Sequence, residues 1–237
     1  EILILGYSPL LCGEREQYAE CFAYIRSLGY EPRFLGEKAG GRPALCWVVS
    51  TAGIAAAKKL NEKYAVPLLL SCPVGEHAMR MWRKNVQELC QTGNNEIRQL
   101  CIHNYSLQEK DKRKLLFIGD PLQTMGVAHA LWHEGFQHIQ LATLCTGVAS
   151  RKLYRSAPGA DKWLIIVDSL TALQDLWEDA DIVFADAMLA KVMRSVGAET
   201  KKHIPLPWGV ISGRSACTAG SGVLGKNMAE QLKLLAQ

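Results

Sequence analysis

Short, unbroken apolar runs recur along the chain, each bounded by Gly, Pro, Asp or Ser and followed by a longer stretch with helical spacing. The runs are Ile2–Leu5, Pro32–Leu35, Leu45–Val49, Pro67–Leu70, Leu115–Ile118, His138–Ala142, Leu164–Val167, Ile182–Ala185 and a short one near His203–Leu206. A strand apolar at every position, not at every second one, needs cover on both faces. Between the runs, segments such as Arg15–Leu28 place Tyr18, Cys21, Phe22 and Ile25 on one helical face, and Gly29 follows as a stop signal. Strands that alternate with helices imply parallel sheets with right-handed crossovers.

The pattern occurs twice. Leu3-Ile4-Leu5-Gly6 leads through Pro9 and a helix to Leu28-Gly29-Tyr30, and Leu116-Phe117-Ile118-Gly119 leads through Pro121 and a helix to Glu134-Gly135-Phe136. Val66-Pro67-Leu68 and Ile204-Pro205-Leu206 repeat a later feature. The second unit is the longer, with an extra strand and helix around Trp163–Trp177. The expected fold is α/β, with two tandem Rossmann-like units whose parallel sheets are flanked by helices and a cleft between them. The units are 1–92 and 114–237. The polar stretch 93–113 is a linker with one helix over Glu96–His103, because Ile97, Leu100 and Cys101 share a face.

Composition narrows the function classes. The 237 residues carry 27 Lys+Arg against 23 Asp+Glu, and 49% are hydrophobic. That apolar fraction excludes a disordered chain. No apolar run reaches the roughly 18 residues of a membrane helix. The net charge of +4 comes without a basic block interleaved with aromatics, which argues against nucleic acid as a partner. The 8 Cys are scattered without a CxxC, the pattern of free thiols in a reducing, cytoplasmic setting. The chain opens on Glu1 and directly on a strand, as a piece of a longer protein would.

Ligands of such sheets bind beyond the carboxyl ends of the strands. There the sequence places Ser50, Thr51, Cys72 and Gly75 in the first unit and Asp120, Cys145, Gly147 and Arg214 in the second. These eight are the candidate lining of the cleft. The glycines would admit a close backbone approach, the thiols could ligate metal and Arg214 could pair with a carboxylate. Cys12 and Cys217 also fall in such loops, whereas Cys21 and Cys46 fall on core positions. Asp120, Asp168 and Asp186 each precede a helix, where capping alone accounts for them.

Two further motifs have simpler readings. Gly220-Ser221-Gly222-Val223-Leu224-Gly225-Lys226 satisfies GxGxxG, but no strand precedes it and Asn227 replaces the Ser or Thr that would hold Mg²⁺. A flexible loop entering a last helix, or an anion seat with Arg214, accounts for it. His129 and His133 are spaced i,i+4 as a zinc pair would be, with Val127 and Leu131 opposite, and a solvated face is the simpler reading.

In order and spacing the chain resembles the nitrogenase component 1 family of oxidoreductases. Lys114 to Pro121, ending Gly119-Asp120-Pro121, is similar to that family's turn after the first strand of its last domain, and Met125-Gly126 and Leu131 to Gly135 continue the match. Ala180-Asp181-Ile182-Val183-Phe184 resembles the next strand. Asn61 to Pro67, followed by Pro73-Val74-Gly75, resembles the middle domain. The resemblance spans the chain but covers only the second and third of the family's three Rossmann-like domains. It implies an oxidoreductase in the full-length protein, inactive as this part alone. An iron–sulfur cluster or other metallocofactor, or a tetrapyrrole-like substrate, would lie between domains. A paired homologous chain and an iron–sulfur ATPase that supplies electrons would be the partners. A non-catalytic scaffold or carrier for a metallocofactor or tetrapyrrole on the same fold is the alternative. The family's cluster cysteines lie in the absent first domain. Its cofactor Cys falls at about Val49, and its cofactor His falls near Leu206, with His203 on the wrong side of Pro205.

Overall fold

A computed structural model describes residues 1–8, 12, 15–37, 41–99, 111–144, 164–199 and 202–205. Within them two five-stranded parallel sheets form, each flanked by helices. The first contains β1 (Ile2–Leu5), β2 (Pro32–Phe34), β3 (Leu45–Val48), β4 (Leu68–Leu70) and β5 (Ile97–Gln99). The second contains β6 (Leu115–Ile118), β7 (Ile139–Thr143), β8 (Leu164–Ile166), β9 (Ile182–Ala185) and β10 (Lys202–Pro205). Each run anticipated from the sequence forms a strand. The helices are α1 (Ala19–Ser27), α2 (Ile54–Tyr64), α3 (Gly75–Thr92), α4 (Pro121–His133), α5 (Leu170–Asp179) and α6 (Ala187–Ser195).

The expected linker helix over Glu96–His103 is a correction. Ile97–Gln99 is strand β5, hydrogen-bonded parallel to β4 at the edge of the first sheet, and residues 100–103 lie outside the described residues. Its exposed Ile97 and half-exposed Arg98 and Gln99 suit an edge, and the backbone N–H and C=O groups on β4 gain partners by accepting it. The first sheet thus takes in residues that the sequence assigns to the linker.

The two sheets are wound differently. The first has order β2-β1-β3-β4-β5, so the crossovers reverse direction between β1 and β3. The second has order β10-β9-β6-β7-β8, with the reversal between β6 and β9 and the extra strand β8 at the outer edge. Such reversal points open the crevice where doubly wound sheets receive ligands.

Packing explains the apolar runs. β3, β4, β6 and β9 are buried at every position. Phe117 and Phe184 are register partners on β6 and β9, and their rings stack with centroids 4.3 Å apart. In the first unit Trp47 packs on Trp82 of α3, and its indole N–H donates to the Ser71 carbonyl at 3.0 Å. Each such large buried side chain contributes roughly 2–3 kcal/mol through removal of apolar surface from water.

Candidate functional site

Gly6 takes φ +80°, a conformation that disfavours side chains, as the chain turns off β1. The Ser50 hydroxyl donates to the Gly6 carbonyl, and a Cβ on Gly53 would meet the backbone of Leu5 and Gly6 at 2.5–2.7 Å. The loops after β1 and β3 therefore touch at the reversal point of the first sheet. Thr51 opens a 3-10 turn, Thr51–Gly53, that runs directly into α2, so its N–H lies at the positive end of a helix.

Asp120, from the second unit, meets that N–H. Its Oδ2 accepts from the Thr51 backbone N–H at 2.8 Å and from the Thr51 hydroxyl. Its Oδ1 caps α4, accepting from the N–H groups of Leu122 at 3.0 Å and Gln123 at 3.4 Å. One buried carboxylate thus closes two helix N-termini from two units. A helix N-terminus beside such a reversal point is where an anionic ligand group would bind. Here a carboxylate of the chain itself takes the position. Burial pushes the Asp120 carboxyl above its ordinary range, against the lowering effect of the hydrogen bonds from Thr51, Gln123 and Leu122.

The contact continues along α4. A Cβ on Gly126 would sit 2.2 Å from the Cys72 carbonyl oxygen, so only glycine allows this approach of the two units. Gln123 donates from Nε2 to the Cys12 sulfur at 3.2 Å. The space left beside Ser71, Cys72, Leu122, Met125 and His129 is a cavity of about 10 Å³. That is of the order of one water.

The sequence-predicted lining is distributed as follows. Ser50, Thr51, Cys72, Gly75 and Asp120 are all buried. Gly75 heads α3, three residues from Cys72. Thr51 and Asp120 are brought into contact, and Cys72 meets Gly126. At this place the described members of the lining hold the two units together. The physical cause is the glycine at 126 and the paired N-termini, which draw α4 onto the first sheet's carboxyl edge. Cys145, Gly147 and Arg214, with Cys217 and Gly220–Lys226, lie outside the described residues.

An iron–sulfur cluster or tetrapyrrole does not fit the described junction. Besides the small cavity, burial pushes the Cys72 thiol well up, with Cys12 and Asp120 adding to the effect, and burial likewise raises Cys12. Metal ligation needs thiolates. His203 is engaged elsewhere: its Nε2 lies 3.1 Å from the Ala185 carbonyl, its ring stacks on Trp177, and burial lowers its pKa.

A side-chain cluster that sequence reasoning missed lies at the same junction. His129 and His133 do not form a solvated face. They are half-buried and meet His77 from the first turn of α3. Ring centroids are 3.9 Å apart for His77 and His133, 5.5 Å for His77 and His129, and 4.8 Å for His129 and His133. Burial, then His77 and Arg80, hold the His133 imidazole below its ordinary range. The i,i+4 spacing was the visible signal. His77 is remote in sequence and becomes a partner only when the two units pack.

Comparison with solved structures settles the architecture. A nitrogenase structure, described as nitrogenase Cp1 at pH 6.5, superposes with a TM-score of 0.59 at 13% sequence identity. The fold is nitrogenase-like. The match covers 100% of this chain and 58% of that one, so this chain spans little more than half the length of the solved chain. No family model and no curated protein matches the sequence. Among the described residues no helix is long and apolar enough to cross a membrane.

Proposed function

We propose that this chain is the two-sheet part of a nitrogenase-like oxidoreductase, which takes electrons from an iron–sulfur ATPase and pairs with a homologous chain. The observation that carries the reading is the superposition of the whole chain on a nitrogenase. The chemistry stays with the full-length protein, because fold alone assigns no substrate. Thr51, Asp120, Cys72 and Gly126 hold the units in register in this reading. Contact with a metallocofactor or tetrapyrrole-like guest falls to Cys145, Gly147 and Arg214, which follow β7 and β10 in sequence.

The experiment is purification of the full-length protein without oxygen, with metal analysis and visible spectroscopy before and after addition of the ATPase and ATP. Iron and a chromophore that bleaches on reduction are expected, and Cys72→Ser is expected to leave both in place. A metal-free, colourless protein contradicts the reading. Loss of the chromophore in Cys72→Ser contradicts the structural role given to that thiol. A chromophore that binds but is never reduced identifies a carrier instead.

A further inference from the structure

The histidine cluster at the junction is independent of the redox reading. His77 comes from α3 in the first unit, and His129 and His133 come from successive turns of α4 in the second. One ligand nitrogen of each lies within 4.8 Å of the others. We propose that His77, His129 and His133 bind one divalent cation of the zinc class, which joins the two units across their contact.

The donor set selects the metal. Neutral imidazoles suit zinc and its later transition-metal neighbours, and not the oxygen-seeking Mg²⁺ or Ca²⁺. Zinc at about 2.0–2.1 Å from each nitrogen draws the nitrogens to roughly 3.4 Å apart, and rotation about the soft terminal torsion of histidine supplies that contraction. Each ring is half-buried, so the rings are held in place yet reachable. Arg80, a cation whose charge acts on His133, has its guanidinium paired with Glu76 at 3.0 Å. Three protein ligands leave a fourth position for solvent, the arrangement of an open zinc site.

The linkage has a mechanical consequence. Two ligands at i,i+4 on one helix make a weak bidentate grip, and the third supplies closure only when α3 and α4 are packed. A cation that binds the packed form alone stabilises that form by mass action.

The test uses tag-free protein stripped with a chelator and titrated with Zn²⁺ by calorimetry and by competition with a chromophoric chelator. Wild type is expected to bind one equivalent more than His77→Ala or His129→Ala. The affinity lost in each variant should be at least the roughly 10–100-fold that follows removal of a mere partner of a ligand. Zinc at about 100 times its Kd should raise the Tm of wild type by roughly 5–10 °C and leave the variants unmoved. His138→Gln, an exposed histidine outside the cluster, should behave as wild type. Circular dichroism checks that the variants fold, and the two alanine variants on different helices guard against the loss of one. Equal zinc binding by wild type and both variants overturns the proposal, as does the absence of any zinc-dependent rise in Tm.

Discussion

Gly126→Ala is expected to lower the stability of the protein by about 3 kcal/mol, or roughly 6–12 °C in Tm. The added Cβ would lie 2.2 Å from the Cys72 carbonyl oxygen and 3.1 Å from its Cβ. The obstacle is backbone, anchored between β4 and α3, so no side-chain rotation relieves it. Either α4 moves away from the first unit or the loop after β4 shifts. Both disturb the hydrogen bonds that Asp120 makes at the start of the same helix. Trimming the neighbour, in Cys72→Ala, should therefore not rescue the variant. Urea unfolding of the single and double variants measures this, and a Gly126→Ala protein as stable as wild type would show that the units do not approach as closely as described.

Asp120→Ala should cost a similar amount, about 3 kcal/mol, because it removes an N-cap and leaves the Thr51 N–H without its buried acceptor. Thr51→Val, which removes only the hydroxyl donor, should cost about 1 kcal/mol. The pH dependence separates this carboxyl from an exposed ion-paired one. Its pKa in the folded protein is raised above 3.8, so the protonated form is favoured by folding. The stabilisation it contributes is fully present below the unfolded value and is lost as pH rises through the folded one. The stability gap between wild type and Asp120→Ala should therefore widen as pH falls from about 7 toward 4. A carboxylate held by a solvent-exposed cation would show the gap narrowing over the same range. Denaturant midpoints across that range decide between them.

Much of the architecture was legible because fully buried parallel strands advertise themselves. Leu45–Val48, Leu68–Leu70 and Leu115–Ile118 have no polar position to disguise them. β5 escaped for the opposite reason: Ile97 is exposed, Arg98 and Gln99 are polar, and the strand exists through backbone pairing with β4 more than through its side chains. The extra strand β8 was visible as a run, but its place at the outer edge of the second sheet was not, since strand order depends on crossover paths and not on local pattern.

The junction was half legible. The sequence shows Asp120 before a proline and a helix, and capping through Oδ1 follows. Nothing local shows that Oδ2 reaches Thr51, 69 residues away in sequence. Ser50, Thr51, Cys72, Gly75 and Asp120 follow the carboxyl ends of β3, β4 and β6. Their burial against one another depends on how the two units dock, which the glycine at 126 permits and no periodicity encodes. His77 illustrates the same limit, as a single histidine in a first helical turn that gains meaning only opposite α4.

Native-state hydrogen exchange of the Thr51 amide tests the closed junction most directly. That N–H is buried and bonded to Asp120 across the two units, so it should exchange only through opening of the junction, with protection near that of the core amides of β3. Exchange of Thr51 at the rate of an exposed loop amide, while β3 stays protected, would mean that the units stand apart and that a guest could enter between them.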